Sequence, residues 1–451
     1  MRLTVLRSLA HSVCVLLLAA AALAAGRPHY GGVLRVETGD TFTGAENPVH
    51  ALVCETLTAV DDHGQTGPKL ATNWEAQSGD RRWQFWLRHD VQFHDGAPLT
   101  AGAVVASLTS TKGETYPWSS LRAVGDSVVF EFAEARPRFA AELAMPRYAV
   151  ERANPGGAAF GTGPYRWGEA RAGTFVLQAN ENYWGGRPFL DAIEVTQSRS
   201  PRDLLIDLDL GRADIVEVSP GQLRRITHAR TLESQPADLM ALAVRSGKPS
   251  LQDARVRQAI ALSADRAAIF DVLLQKQGEI AGGLLPNWLS GYAFLFSPAR
   301  DLARAQQLVR EVGGVPPLTL AVTEPDPVTQ LIAERIALNA HDAGITLQVT
   351  ADTEHADLVL VRQGLASMDA EVALSALCEQ FGCQTRERAA RPSAQARYDD
   401  ERSMVTEAKV IPLAFVPRAY AYGPRVQDWA VAPDGNWRLD DVWLAGQGEG
   451  K

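Results

Sequence analysis

The pattern of apolar residues predicts an α/β protein, β-rich in its front part and mixed α/β in its back half. Three observations carry that reading. The stretches 83–88 and 127–132 alternate apolar and polar residues at strand period. The stretch 318–349 reads as strand, helix, strand. No internal repeat and no low-complexity linker separates the two parts, so lobes joined by several crossing strands are expected rather than independent modules.

Taken in order, the chain opens with Arg2 and Arg7 ahead of an apolar run at 13–22 that ends in the small-residue stretch 21–26. A charged start, a short apolar core and an Ala-x-Ala exit describe a secretory signal peptide, with cleavage near Ala24 or Ala25. A membrane span needs about 20 apolar residues, and this run is shorter. Cys14 lies inside the apolar core with no small-residue site just before it, unlike a lipidated cysteine. A strand at 33–36 and a Gly/Thr/Asn/Pro-rich loop at 39–48 follow.

Trp83, Phe85 and Leu87 share one strand face; Val128, Phe130 and Phe132 share another after a Gly125-Asp126 turn. Between them Thr100 caps a helix that buries Val104, Val105 and Leu108. Further on, Asp253 caps a helix carrying Val256, Ala259 and Ile260, and Asp265 opens a second through Ile269 and Phe270. Strands are expected at 318–322, 345–349 and 358–361. The first two flank a helix marked by Val328, Leu331, Ile332 and Ile336 and stopped by Gly344, with parallel strands and a right-handed crossover expected.

Charge and cysteine content narrow the function classes. With 44 basic against 53 acidic residues and no basic tract, the chain is not expected to bind nucleic acid or an anionic membrane surface. Beyond the signal segment only Cys54, Cys378 and Cys383 remain; Cys378 and Cys383 are close enough to pair in an oxidising compartment, leaving Cys54 as a buried thiol. No CxxC and no Cys/His cluster in the sequence suggests zinc, and neither a metal nor a cofactor is expected. GxSxG, HExxH and GxxxxGK[ST] are absent. The Gly-rich stretch 161–165 contains Pro164, which removes an amide donor, so it reads as a sharp bend rather than a phosphate cradle. His89 and His94 have no third ligand nearby, and the pairs Asp61/Asp62 and Asp399/Asp400 read as solvated turns. Of ten Trp residues, Trp118, Trp184, Trp288 and Trp437 follow turns and are candidates for a cleft wall.

The segments PKLATNWE (68–75), WQFWLRHDVQFHDGAPLT (83–100), GTGPY (161–165), NENYWGGRPFLD (180–191), GRADI (211–215), DARVRQAIALSADRAAI (253–269) and VIPLAF (410–415) resemble, in the same order, the signature blocks of family 5 extracellular solute-binding proteins. The resemblance runs over almost the whole mature chain. It implies a periplasmic-binding-protein-like type II two-lobe clamp with an extra β-rich subdomain in lobe one. The expected division is 26–50, 155–240 and 415–451 for the core of lobe one, 51–154 for its β-rich subdomain, and 241–414 for lobe two. The implied function is that of a periplasmic monomer that captures a small solute and hands it to inner-membrane ABC permease subunits. A sensor or interaction protein on the same fold is the alternative.

The resemblance also implies site residues. Peptide-binding members carry a lobe-two Asp that receives the peptide ammonium; here Ala366 stands at that position and Asp369 follows three residues later. Nickel-binding members are similar at a pocket Trp, matched by Trp118, and a pocket Arg, matched by Arg147, whereas Gly364 and Met368 replace their lobe-two Trp and Tyr. Ligand contacts are therefore expected from Trp118 as an apolar wall, Arg147 as a carboxylate anchor, and Arg362, Gln363 and Asp369 opposite. The expected cargo is a small anionic or zwitterionic solute: a peptide, a modified peptide or a metal chelate.

Overall fold

The computed structural model describes residues 28–39, 48–109, 116–155, 157–169, 173–223, 226–245, 247–323, 326–382 and 393–446. The expected signal peptide and Cys383 of the expected disulfide lie outside the described residues.

Three sheets organise the molecule. In lobe one, a seven-stranded sheet runs in the order Tyr165–Trp167, Thr174–Ala179, Ala192–Thr196, Val33–Glu37, Ile215–Val218, Ala419–Tyr422, Arg230–Glu233. Val33–Glu37 is central and pairs in parallel with both neighbours, and its alternate residues Leu34 and Val36 are buried. An antiparallel four-stranded sheet beside it contains Ala71–Gln77, Arg82–Leu87, Ser127–Glu131 and Ser120–Val124. The predicted alternation is realised there: Trp83, Phe85 and Leu87 point inward with Val128, Phe130 and Phe132. Phe85, Phe130 and Phe139 are fully buried and meet edge to face. Each contributes roughly 1.5–3 kcal/mol of transfer free energy.

Lobe two is built on a six-stranded mixed sheet, in the order Glu279–Ile280, Val410–Val416, Asp238–Val244, Leu358–Gln363, Leu318–Val322, Leu347–Thr350. Leu318–Val322 is parallel to both Leu347–Thr350 and Leu358–Gln363, as the strand–helix–strand reading predicts. The helix ends also follow local sequence. Thr100, Asp253 and Asp265 cap through their side chains as expected. Asp326 adds a capping box at the start of Pro327–Asp342. Gly344 stops that helix in the left-handed region, and the Ile345 amide bonds back to the Ala340 carbonyl at 2.9 Å. Ile345 therefore closes a Schellman-type end, and the next strand starts at Leu347 rather than 345.

Asp399 and Asp400, expected in a polar turn, instead lie on the helix Ala394–Glu407, which Ser393 caps. The chain crosses between the two large sheets after Arg230–Glu233 and again between Val410–Val416 and Ala419–Tyr422. The two crossings are tied to each other: Ser234 donates its amide to the Arg418 carbonyl, and the Arg418 amide donates to the Ser234 hydroxyl.

Candidate ligand-binding cleft

The lobe-one wall begins at the short helix His50–Val53, followed by Cys54 and Glu55. The bend at 161–163 presses against this turn so closely that an added Cβ at Gly161 would lie 1.9 Å from the Val53 carbonyl oxygen, and one at Gly163 would lie 2.5 Å from that of Leu52. Glycine is required here by close approach, not by a left-handed backbone. His94 fixes the other side of the bend. Its Nδ1 accepts from the Gly161 amide at 3.2 Å and its Nε2 donates to the Gly163 carbonyl at 3.1 Å, which selects the neutral Nε2–H tautomer. Burial accordingly holds the His94 pKa below its ordinary 6.5.

Glu55 is the buried anchor of this wall. It accepts from the Thr162 hydroxyl (2.9 Å), the Tyr183 hydroxyl (2.9 Å) and the Trp184 indole N–H (2.8 Å), with the Lys69 ammonium at 3.3 Å. Four donors saturate the carboxylate, so its burial is compensated.

The lobe-two wall is the segment 362–368 that leaves the strand Leu358–Gln363. Between Gln363 and Met368 its side chains are only Gly364, Leu365, Ala366 and Ser367. At its base Arg362 and Arg418 both donate Nε–H to one oxygen of Asp238, at 2.9 and 3.0 Å. Asp238 is almost fully buried. Burial by itself disfavours the Arg418 cation, but the Asp238 carboxylate prevails and holds its pKa above the usual value. Gly364 eases this packing: a Cβ there would lie 3.2 Å from the Arg418 guanidinium, a tight contact. Asp434, also on the cleft, has its pKa raised by burial.

The lobes touch across the cleft. Arg147 Nη1 donates to Glu379 on the helix Ala370–Phe381 at 2.9 Å, and Arg138 lies 3.5 Å from Asp369. Val372 of that helix is buried in the aromatic core beside the four-stranded sheet. What remains between the walls is a cleft of about 820 Å³ with residues from both lobes on its lining.

Three of the five residues expected at the ligand line this cleft: Arg147 from lobe one, Arg362 and Gln363 from lobe two. The structure places the other two elsewhere. Trp118 stacks on Tyr116 with ring centroids 4.6 Å apart and packs on the edge of the aromatic core. Asp369 caps the helix Ala370–Phe381, accepting from the Glu371 and Val372 amides. No tryptophan, tyrosine or phenylalanine among the described residues lines the cleft. Trp184 and Trp288 instead spend their indole N–H on Glu55 and the Pro236 carbonyl, and Trp437 bonds the Tyr420 hydroxyl.

Sequence reading missed Glu55, Asp238 and Arg418, whose partners lie up to 180 residues away. It also missed a grouping of His50, Cys54 and Glu151, whose donor atoms lie within 4.8 Å of one another. The i, i+4 spacing of His50 and Cys54 was the available signal.

Comparison with known proteins agrees with this architecture. A family model described as bacterial extracellular solute-binding proteins, family 5, matches residues 65–375. The nickel-binding periplasmic protein of Escherichia coli (strain K12) is 23% identical over 362 residues, which span 70% of this chain and 69% of that protein. Two solved structures superpose with TM-scores of 0.78: AgaA of A. tumefaciens R10 in complex with agropinic acid (18% identity, 90% of this chain and 99% of that one), and DppA of Helicobacter pylori in complex with the peptide STSA (17%, 93% and 99%). At these identities the superpositions establish the fold.

Proposed function

This chain belongs to the bacterial extracellular solute-binding proteins, family 5, and on that premise we propose that it captures a small charged solute between its lobes in the periplasm and delivers it to an inner-membrane ABC permease. The observation that carries the reading is a cleft of about 820 Å³ lined from both lobes. That size lies within the roughly 300–1,000 Å³ typical of small-molecule sites. A solute touching both walls binds the closed form preferentially, and only that difference in affinity shifts the population toward the form a permease can recognise.

The wall chemistry favours a compact solute carrying both charges, such as a short peptide or a metal chelate. Relatives named above bind nickel, agropinic acid and a peptide. Arg147 is the residue best suited to a solute carboxylate. Its partner Glu379 is 65% exposed, and an exposed pair contributes only about 0.2–1 kcal/mol, so displacing Glu379 is cheap. Arg362 is already committed to buried Asp238 and acts as a fixed positive wall. The aliphatic and small side chains at 364–367, and the lack of aromatic faces among the described lining residues, leave shape rather than stacking to select the cargo.

Calorimetric titration of the purified protein with dipeptides, tripeptides and nickel–histidine chelates tests this. At least one class should bind, and Arg147→Ala should weaken that binding about 10-fold or more, the loss of a charge-assisted pair. Trp118→Ala should lower stability while leaving affinity unchanged. Wild-type affinity in Arg147→Ala removes the anchor assignment, and binding by none of the three classes removes the cargo reading.

A further inference from the structure

One cluster of chemistry-bearing side chains is absorbed by neither the clamp nor the charge network at its base. His50 and Cys54 are one helical turn apart, so their side chains meet on the same face, and both line the cleft. Glu151 comes from the segment after the turn Pro146–Tyr148 and is placed by a backbone bridge between the neighbouring residues, Glu55 and Val150. Its own amide donates to the Ser107 hydroxyl at 2.8 Å, which fixes its position further. One imidazole nitrogen, one sulfur and one carboxylate oxygen thereby lie within 4.8 Å of one another.

We propose that His50, Cys54 and Glu151 form a divalent transition-metal site in the lobe-one wall, with an open coordination position on the cleft. A mixed nitrogen, sulfur and oxygen set suits zinc, cobalt(II) or nickel(II) and not magnesium or calcium, which take oxygen ligands. Metal–ligand bonds of about 2.0–2.3 Å put neighbouring donors roughly 3–4 Å apart, which side-chain rotation reaches from the present arrangement. A simple ion pair between His50 and Glu151, 2.5 Å apart, accounts for two of the groups but not for the thiol beside them. Nor does it account for His50 Nδ1, which is buried without a hydrogen-bond partner among the described residues.

Binding is balanced by proton release. The Cys54 thiol loses its proton to solvent as the sulfur–metal bond forms, and any proton shared between His50 and Glu151 leaves with it. Affinity therefore rises with pH. The site does not depend on which solute the cleft takes, and three protein ligands leave the fourth position for water or for a donor atom of a bound molecule.

The test uses the untagged protein, reduced and chelator-treated, titrated with cobalt(II) in the absence of any solute. A stoichiometric near-ultraviolet sulfur-to-cobalt charge-transfer band with strong visible bands of a four-coordinate ion is expected. Cys54→Ser should abolish the charge-transfer band while circular dichroism shows the fold retained, and Cys378→Ser should keep the band. Glu151→Gln, at a partly exposed position that leaves packing intact, should weaken cobalt binding at least about 10-fold. A missing band in the wild type, a band undiminished in Cys54→Ser, or wild-type affinity in both Glu151→Gln and His50→Ala overturns the proposal.

Discussion

The two walls of the cleft are held in different ways. On the lobe-one side, Gly161 and Gly163 leave no room for a methyl group, His94 spends both ring nitrogens on the same bend, and Glu55 accepts from four donors. On the lobe-two side, a run of Gly, Leu, Ala and Ser follows Gln363, and one buried carboxylate serves two guanidinium groups. The first wall is fixed at the bend 161–163 by close contact and saturated hydrogen bonding. The second is fixed at its base by charge and is left open above, toward the cleft.

Breaking the steric wall should have the largest effect. Gly161→Ala places a methyl 1.9 Å from a backbone oxygen that cannot yield as a flexible side chain would. A loss of more than about 4 kcal/mol is expected, read as a large fall in the denaturant midpoint or as failure to accumulate folded protein. A loss under about 1 kcal/mol would show that the bend relaxes and that the rigid-wall comparison is mistaken.

The electrostatic base comes next. Asp238→Asn keeps the shape but removes the carboxylate that Arg362 and Arg418 share, at an expected cost of about 3 kcal/mol in equilibrium unfolding. Arg418→Met in the same background should recover part of that loss, because it removes one of the two cations that the carboxylate served. No recovery would mean that Asp238 acts through the hydrogen bonds of the crossing rather than through charge.

The smallest expected effect sharpens the role of His94. Its folded pKa is depressed by burial, so protons favour the unfolded chain. The stability this group contributes is fully present above the unfolded value of about 6.5 and is lost as pH falls through the depressed folded value. Buried acids such as Asp434 and Glu401, whose pKa values are raised by burial, act in the opposite direction, so the contribution is read as a difference. Between pH 7 and pH 5, the denaturant midpoint should fall more steeply in the wild type than in His94→Gln. Equal slopes would mean that His94 is not held neutral by the bend.

Much of the scaffold was legible in the sequence because its causes are short-range. Thr100, Asp253 and Asp265 cap helices whose first amides lie two or three residues ahead, and Trp83, Phe85 and Leu87 share a face because a strand repeats every two residues. Arg147, Arg362 and Gln363 were expected at the ligand from the likeness to family blocks and do line the cleft. Trp118 and Asp369 were expected there on the same grounds. An aromatic partner in the core and two free amides at a helix start, neither visible as a pattern, claim them instead. The tryptophans illustrate the same limit. Composition and turn positions show that they are abundant, but only the fold shows their N–H groups spent on Glu55, a carbonyl and a tyrosine.

By itself the sequence determined the family, the α/β fold class, several strands and helix caps and the lack of familiar catalytic motifs, since most of these are written in residues that act within a turn or a strand of one another. The tertiary structure alone decided which long-range partners the cleft residues take. Asp238 meets Arg362 and Arg418 across 124 and 180 residues, and Glu151 meets His50 across 101, because charges and hydrogen-bonding groups act through space. Their partners are fixed only when the sheets have packed and the chain has crossed twice between them.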